Sequence, residues 1–176
     1  MRSVLISNQP KWCELIASGK KTVEVRKTKP RLETPFKCYI YCTKGKFEPS
    51  EYLRNNLHYD DSTIKVCEGQ GKVIGEFVCD AIFPISCYYS DVNVRGIHRE
   101  QPYTCLTDKE MIDYLGNGVE GYGWHISDLV IYDEPKELGE FNSYNCGVKI
   151  ENGYPMPTHE ITRPPQSWCY VEEVEQ

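Results

Sequence analysis

The sequence predicts an α+β protein that is mainly β, a small and mostly antiparallel barrel carrying two to four short helices. Its 176 residues, of which 40% are hydrophobic, suit a single domain over residues 1–176 with its own core. Several short segments alternate apolar and polar residues, which is typical of antiparallel strands with one face in the core. A few other segments place apolar residues at helical spacing. Together these observations favour a small barrel decorated by helices.

The first part of the chain predicts two strands around a short helix. Residues 3–7 have the composition of a short strand, and Pro10 stands where the first turn of a helix tolerates a missing N–H group. Gly19 lies where the left-handed cap at the end of that helix is expected. Residues 21–27 alternate with period two, so they predict a strand with a polar face that carries Glu24 and Arg26.

The middle of the chain predicts two longer strands and two helices. Residues 35–43 alternate with period two, and residues 71–83 form the longest alternation, which Pro84 ends. A short helix is expected over residues 48–57. Thr107, followed three residues later by Glu110, is a capping-box signature for a helix through about residue 115.

The last part of the chain predicts two strands separated by a long loop. A strand is expected over residues 124–132, after a glycine-rich turn, and a turn or short helix over residues 135–141. Residues 142–166 have the composition of a loop, and residues 167–171 predict a final short strand. There is no repeat and no linker between two cores.

Charge is distributed unevenly along the chain. The net charge of -6 excludes a protein that coats nucleic acid through bulk positive charge. Residues 1–48, however, contain 11 Lys/Arg and 4 Asp/Glu, whereas the remainder contains 9 and 22. Six basic residues fall within residues 20–31, a pattern expected for an edge that faces an anion. The alternative is a strand and turn kept soluble by lysine.

The nine cysteines indicate reduced thiols rather than a disulfide framework. Their number is odd and no Cys-x-x-Cys pair occurs, which also argues against a zinc ribbon, so no metal or other cofactor is predicted. A metal site assembled in space from Cys38, Cys42 and histidines is the alternative. The sequence contains neither a membrane-spanning run nor a signal-peptide core, and we expect a cytoplasmic protein with no membrane partner.

A family resemblance rests on residues 19–26, GKKTVEVR, which match the Gly-x-Lys-x-x-Glu-x-Arg signature of ASCH domains through Gly19, Lys21, Glu24 and Arg26. Residues 75–78 and 122–126 also resemble ASCH strands, and the whole chain is similar to uncharacterised ASCH proteins of phages and prophages. The resemblance is strong over about residues 1–45. It is weak over the loops, so segments at about 45–65, 85–120 and 142–166 are expected to be insertions.

The resemblance implies a PUA-like barrel with a cleft beside the first helix, and a role in binding RNA or a nucleotide-like ligand. The signature residues would line the cleft: Arg26 offers paired donors for an anion, Lys21 a point charge, and Glu24 an acceptor. Further candidate ligand-binding residues are Asn8, Gln9, Gly19, Trp124 and Trp168, the tryptophans as stacking platforms. Extended duplex DNA is not expected as a partner, and the oligomeric state is not indicated.

Three alternatives to this binding role remain open. Some ASCH-like proteins are amidohydrolases that act on an acylated cytidine, but the threonine they use is replaced here by Glu24, and the later acid they need is matched only by guesses at Glu76 or Glu120. Other ASCH proteins are ribonucleases, for which Lys21 and Glu24 would be the catalytic candidates. A phage or host protein-interaction module with tyrosine-rich loops over residues 85–122 is the third alternative.

Two structural alternatives apply to single residues. Glu24 and Arg26, on one face of a strand, would form a solvent-screened ion pair if that face were open to water. Trp12 lies on the apolar stripe of the first helix and is expected in the core rather than as a stacking platform.

Overall fold

The computed structural model describes residues 2–46, 65–66, 68–88, 91–94, 104–144, 150–151, 154–155 and 159–174. The elements with described bounds are β1 (Arg2–Asn8), α1 (Pro10–Ala17), β2 (Val23–Arg26), β3 (Phe36–Cys42), β4 (Val73–Cys79), β5 (Ile82–Tyr88), β6 (Asp91–Val94), α2 (Asp108–Leu115), β7 (Glu120–His125), β8 (Ser127–Lys136), a 3₁₀ turn (Leu138–Glu140), β9 (Asn142–Ser143), β10 (Ile150–Glu151), β11 (Tyr154–Pro155), β12 (His159–Glu160) and β13 (Trp168–Glu172). The mainly β composition with short helices is confirmed.

The described strands form two main sheets. The larger has seven strands in the order β12-β9-β13-β1-β3-β4-β8, and the smaller has four in the order β2-β7-β5-β6. Strands β1 and β3 run parallel, whereas the other pairs in both sheets are antiparallel. The predicted closed barrel is therefore not confirmed, because the described strands are divided between two sheets that do not close on one another.

The division arises in the segment predicted as one strand over residues 71–83. That segment is two strands, β4 and β5, which separate at Asp80–Ala81 and join different sheets. Pro84 does not end the second strand but lies within it, paired with Tyr122 of β7. The alternation continues across the break, so periodicity alone could not reveal it.

Helices α1 and α2 begin and end at residues that the sequence marks. Helix α1 has Pro10 at its first position, and Gly19 follows its end with a φ of 71°, which glycine adopts without strain. In α2, the Thr107 hydroxyl accepts a hydrogen bond from the Glu110 amide, and the Glu110 carboxylate accepts one from the Thr107 amide. The predicted capping box is confirmed.

The core occupies both faces of the larger sheet. The first cluster contains Cys38 and Cys42 of β3 together with apolar residues of α1, and it includes the fully buried Trp124. The second lies on the opposite face around Tyr39 and Phe141. A smaller third cluster packs α2 against Val25 of β2 and Ile85 of β5. The alternating faces predicted for β3 are thus both buried.

Several predictions fall wholly or partly outside the described residues. They include the helix over residues 48–57, most of the loop over residues 45–65, and the parts of the tyrosine-rich segment at residues 89–90 and 95–103. Within the described part of the chain, no helix has the length and apolar character needed to cross a membrane.

Candidate functional site

A cavity of about 770 Å³ lies where β1, α1, β2 and α2 meet. Its walls combine the end of β1, one side of α1, the polar face of β2, one side of α2 and the proline-containing segment before β13. The lining residues are Ser7, Asn8, Gln9, Trp12, Lys21, Glu24, Val25, Arg26, Thr43, Leu106, Glu110, Asp113, Tyr114, Pro164, Pro165 and Gln166.

The polar face of β2 points into this cavity rather than into open solvent. Strand β2 is at the edge of the smaller sheet, with β7 on its one paired side. Every residue of β2 is buried, and Lys21, Glu24 and Arg26 are only 2–5% exposed. The alternative prediction, in which the polar face of this strand is solvated, is wrong because β1, α1 and α2 cover that face.

Lys21 is held by three oxygen atoms. Its Nζ donates to the carbonyl oxygens of Val23 and Thr104, each at 2.8 Å, and lies 3.5 Å from Oε2 of Glu24. It also lies 5.3 Å from the centroid of the Trp12 ring. Burial lowers the pKa of the Lys21 ammonium, and the Glu24 carboxylate opposes that shift.

Arg26 connects the strands that surround the cavity. One terminal nitrogen donates to the Ser7 carbonyl at 3.0 Å and to Oδ1 of Asn8, and the other lies 3.3 Å from both the carbonyl and the hydroxyl oxygen of Ser167. Its Nε is 3.1 Å from Oε1 of Glu24. Because the guanidinium is already surrounded by protein acceptors, it positions neighbouring side chains more than it offers donors to a ligand.

Four buried polar atoms at the cavity lack a hydrogen-bond partner among the described residues: Oγ of Ser7, Nδ2 of Asn8, Oε2 of Glu24 and Nε of Arg26. Nε of Arg26 and Oε2 of Glu24 nevertheless lie in ion pairs, at 3.1 Å from Oε1 of Glu24 and at 3.5 Å from Nζ of Lys21, respectively. Arg26 can only donate, so it fixes Oδ1 of Asn8 toward itself and leaves the amide NH₂ group. An unpaired acceptor and an unpaired donor therefore line one cavity.

Aromatic side chains stand at the cavity on both helices. Trp12 of α1 is half-buried and lines the cavity. It is therefore not the purely core residue that the sequence predicted. Tyr114 of α2 is 36% exposed and lines the cavity from the other side. Glu110, one turn before Tyr114, lies 3.2 Å from Nζ of Lys11 and links the two helices.

The structure brings some of the predicted ligand-binding residues together and leaves others apart. Asn8 and Gln9 join the signature residues Lys21, Glu24 and Arg26 at the cavity. The other three do not line it: Gly19 caps α1, Trp124 is fully buried, and Trp168 packs edge-to-face on Trp124 while its Nε1 donates to Thr28.

The two later acids that the sequence offered also lie elsewhere. Glu76 accepts a hydrogen bond from the Tyr132 hydroxyl at 2.5 Å and lies 3.2 Å from Nζ of Lys37. Glu120 is exposed at the start of β7. Neither residue lines the cavity.

The acids at the cavity, apart from Glu24, belong to α2 and were missed by sequence reasoning. Glu110, Asp113 and Tyr114 share one face of this helix because they are three and four residues apart. The capping box marked the helix, but no signal in the sequence indicated that this face would close the cavity over β2. In the described part of the chain, no group of three or more His, Cys, Asp or Glu side chains has the arrangement of a metal site.

Comparison with known proteins identifies the family. The family model described as ASCH domain matches residues 6–151. The chain belongs to the ASCH domain family. The matched range includes both helices, β2 and most of the cavity lining, so the candidate site lies in the ASCH region itself. A search of the curated proteins finds no match.

Solved ASCH structures have the same fold. ASCH from Zymomonas mobilis is 20% identical, with a TM-score of 0.56 over 97% of this chain and 88% of that chain. Two single-substitution variants of the Zymomonas mobilis protein are 18% and 17% identical, with TM-scores of 0.56 and 0.57 over 97% of this chain and 91% and 89% of theirs. At these identities the likeness concerns the fold alone.

Proposed function

We propose that this ASCH protein binds RNA or a nucleotide-like ligand, with a base inserted into the cavity. The observation that carries the proposal is that Oε2 of Glu24, an acceptor, and Nδ2 of Asn8, a donor, are buried at one cavity without hydrogen-bond partners among the described residues. Leaving such atoms without partners costs about 1–3 kcal/mol each, which a ligand that pairs with them would recover. ASCH membership supports a ligand of this class.

A nucleobase edge has the chemistry that this pair of atoms needs. Each base presents an amino or imino N–H donor next to a ring nitrogen or carbonyl acceptor. The donor would face Oε2 of Glu24, and the acceptor would face Nδ2 of Asn8. Lys21 and Arg26 are occupied by protein oxygens, and in this arrangement they hold Glu24 in place instead of gripping a phosphate.

Aromatic surface at the cavity supports the same orientation. Trp12 is half-buried there, and stacking of a base on an aromatic side chain is worth about 1–3 kcal/mol. The role that the sequence assigned to Trp124 and Trp168 passes in this proposal to Trp12, with Tyr114 at the opposite wall.

Two substitutions of nearly constant shape test the proposal. Glu24→Gln can turn the acceptor into a donor, and Asn8→Asp replaces the donor while keeping the oxygen that Arg26 needs. We expect each to weaken binding of nucleoside 5′-monophosphates by about 10- to 100-fold, the discrimination typical of a lost base contact. Isothermal titration calorimetry with the four ribonucleotides measures it, after circular dichroism shows that each variant is folded.

The matched control is Glu68→Gln, which makes the same chemical change at an exposed residue away from the cavity. It should bind as the unaltered protein does. Equal binding by the control, Glu24→Gln and Asn8→Asp would refute base recognition in the cavity.

A hydrolase is the second candidate, and the buried Lys21–Glu24 pair favours it. The two groups are 3.5 Å apart at the cavity, and burial lowers the pKa of Lys21, as general acid–base chemistry requires. Glu110 and Asp113 are the further acids available there. Product release from RNA or from an acylated cytidine, abolished in folded Glu24→Gln, would establish it; failure of wild-type protein to release either product would reject both reactions.

A further inference from the structure

The loop after β2 carries three exposed basic side chains, Lys27, Lys29 and Arg31, which we call the basic strip. None of the three forms an ion pair with another described residue, although Glu33 follows in the same loop. Several lysines elsewhere in the described chain are paired with acids: Lys65 lies 2.7 Å from Asp133, and Lys37, Lys72 and Lys109 have similar partners. The strip is therefore available positive charge on a protein whose net charge is -6.

One end of the strip lies next to a residue of the cavity wall. Nζ of Lys27 lies 5.4 Å from the ring centroid of Tyr114, which itself lines the cavity. Nζ of Lys29 lies 5.4 Å from the ring centroid of Tyr122, which is paired with Arg26 in the neighbouring strand. Each of these two lysines thus lies close to an aromatic ring, and one of the two rings belongs to the cavity wall.

The loop is also fixed in place by the neighbouring strand β13. The hydroxyl of Thr28 accepts a hydrogen bond from Nε1 of Trp168 at 3.0 Å, and the hydroxyl of Tyr170 accepts one from the backbone N–H of Arg31 at 2.6 Å. A cationic loop that is anchored before binding loses less conformational entropy when a ligand settles on it.

We propose that the basic strip binds the phosphates of single-stranded RNA whose base occupies the cavity, so that the binding site extends over several nucleotides. This inference rests on the proposed function, because it takes the cavity as the base site. Lys21 and Arg26 already contact protein oxygens, whereas the basic strip has charge available for a ligand. In this proposal the phosphates therefore lie on the strip outside the cavity, and the base lies inside it. Tyr114, which is exposed beside Lys27, offers an aromatic ring that suits the stacking of a further base.

The test compares a hexauridylate with uridine, which has the base but no phosphate. The strip variant replaces Lys27, Lys29 and Arg31 with glutamine. The control variant replaces Lys65, Lys72 and Lys136 with glutamine; it removes the same charge from residues that do not line the cavity. Fluorescence anisotropy at several salt concentrations measures hexauridylate binding, and calorimetry measures uridine binding.

We expect the strip variant to lose about tenfold or more of its hexauridylate affinity at low salt, and a much smaller factor for uridine. The slope of log affinity against log salt should fall in magnitude by about 2, since each phosphate contact on a single strand contributes about 0.7. The control variant should lose less than the strip variant. Equal losses in the two variants would overturn the inference, and so would equally tight binding of an inorganic polyphosphate with a similar number of charges.

Glu24→Gln separates the two proposals. If it weakens uridine and hexauridylate binding while the strip variant behaves as the control, the cavity proposal stands and the strip inference is overturned. If it weakens neither while the strip variant loses hexauridylate affinity, base recognition in the cavity is refuted, and with it the continuous path from cavity to strip.

Discussion

Lys21 shows how burial changes a residue that sequence reasoning treated as a surface charge. Its ammonium is 2% exposed and is held by two backbone carbonyls and Glu24. A lysine whose ammonium group has these three oxygen partners is a rigid part of the site rather than a mobile point charge. Its influence on a ligand passes through the carboxylate that it holds.

The lowered pKa of Lys21 predicts a specific dependence of stability on pH. The unfolded chain binds the Lys21 proton more tightly than the folded protein does, so burial of the ammonium disfavours folding below the folded-state pKa. This penalty should diminish as pH rises from the folded-state pKa toward the ordinary value of 10.5. The unfolding free energy of the unaltered protein should therefore rise over that interval relative to Lys21→Met.

Denaturant titrations at a series of alkaline pH values measure this difference, and the exposed Lys29→Met serves as the control that should show no such rise. A difference between the unaltered protein and Lys21→Met that stays constant or falls as pH rises would contradict the assignment.

At the scale of the element, the burial of β2 depends more on the segments that cover it than on its own sequence pattern. Its alternation places Val23 and Val25 on one face and Glu24 and Arg26 on the other, as the sequence predicts. Alternation identifies the two faces but not their surroundings, because the sequence pattern of a polar face is the same whether water or a cavity lies above it. Here α1, α2 and β1 supply the walls, so both faces are buried.

Strand β4 depends on a glycine at its contact with β8. A Cβ added at Gly75 would overlap the carbonyl oxygen of Val130 and approach Cα of Ile131 to 3.1 Å, and backbone atoms cannot move aside as a flexible side chain can. We expect Gly75→Ala to lower the unfolding free energy by about 1–3 kcal/mol, the range for overpacked sites. Thermal and denaturant unfolding of the purified variant measure this change.

The same substitution at Gly45 is the control, since the nearest atom to an added Cβ there is 3.9 Å away, on Pro10. Gly45→Ala should lie within about 0.5 kcal/mol of the unaltered protein. Equal stability of the two variants would show that β4 and β8 can separate at this point without cost.

At the scale of the whole molecule, Arg26 connects the two sheets. It belongs to β2 of the smaller sheet, and its guanidinium donates to Ser7 and Asn8 of β1 in the larger sheet and to Ser167 beside β13. These contacts join residues far apart in the chain. One planar group with donors on several edges thus fixes the position of the cavity walls.

Arg26→Lys is expected to lower the unfolding free energy by about 2–4 kcal/mol, because a lysine keeps the charge but leaves buried acceptors without donors. The exposed Arg31→Lys makes the same change and should leave the unfolding free energy within about 0.5 kcal/mol of the unaltered value. Denaturant unfolding of both variants measures the difference. An Arg26→Lys protein as stable as Arg31→Lys would show that the connection between the sheets does not require the guanidinium.

The sequence alone determined what depends on neighbours along the chain. The start of α1 at Pro10, its end before Gly19, the capping box of Thr107 and Glu110, and the alternating faces of β2 and β3 follow from backbone geometry and local hydrogen bonding. The signature residues Lys21, Glu24 and Arg26 were identified through the family resemblance. Glu24 and Arg26 share the polar face of β2 and Lys21 lies two residues before that strand, so the fold had little freedom to separate them.

Tertiary structure decided everything that depends on which segments meet. The break between β4 and β5 at Asp80–Ala81 leaves the alternation intact, so only strand pairing reveals that the two strands enter different sheets. The burial of Trp124, the place of Trp12 at the cavity and the closure of that cavity by α2 depend on long-range packing, which leaves no local pattern. The sequence specified the charged groups of the site, but the environment that turns them from a solvated edge into a buried site exists only in the folded chain.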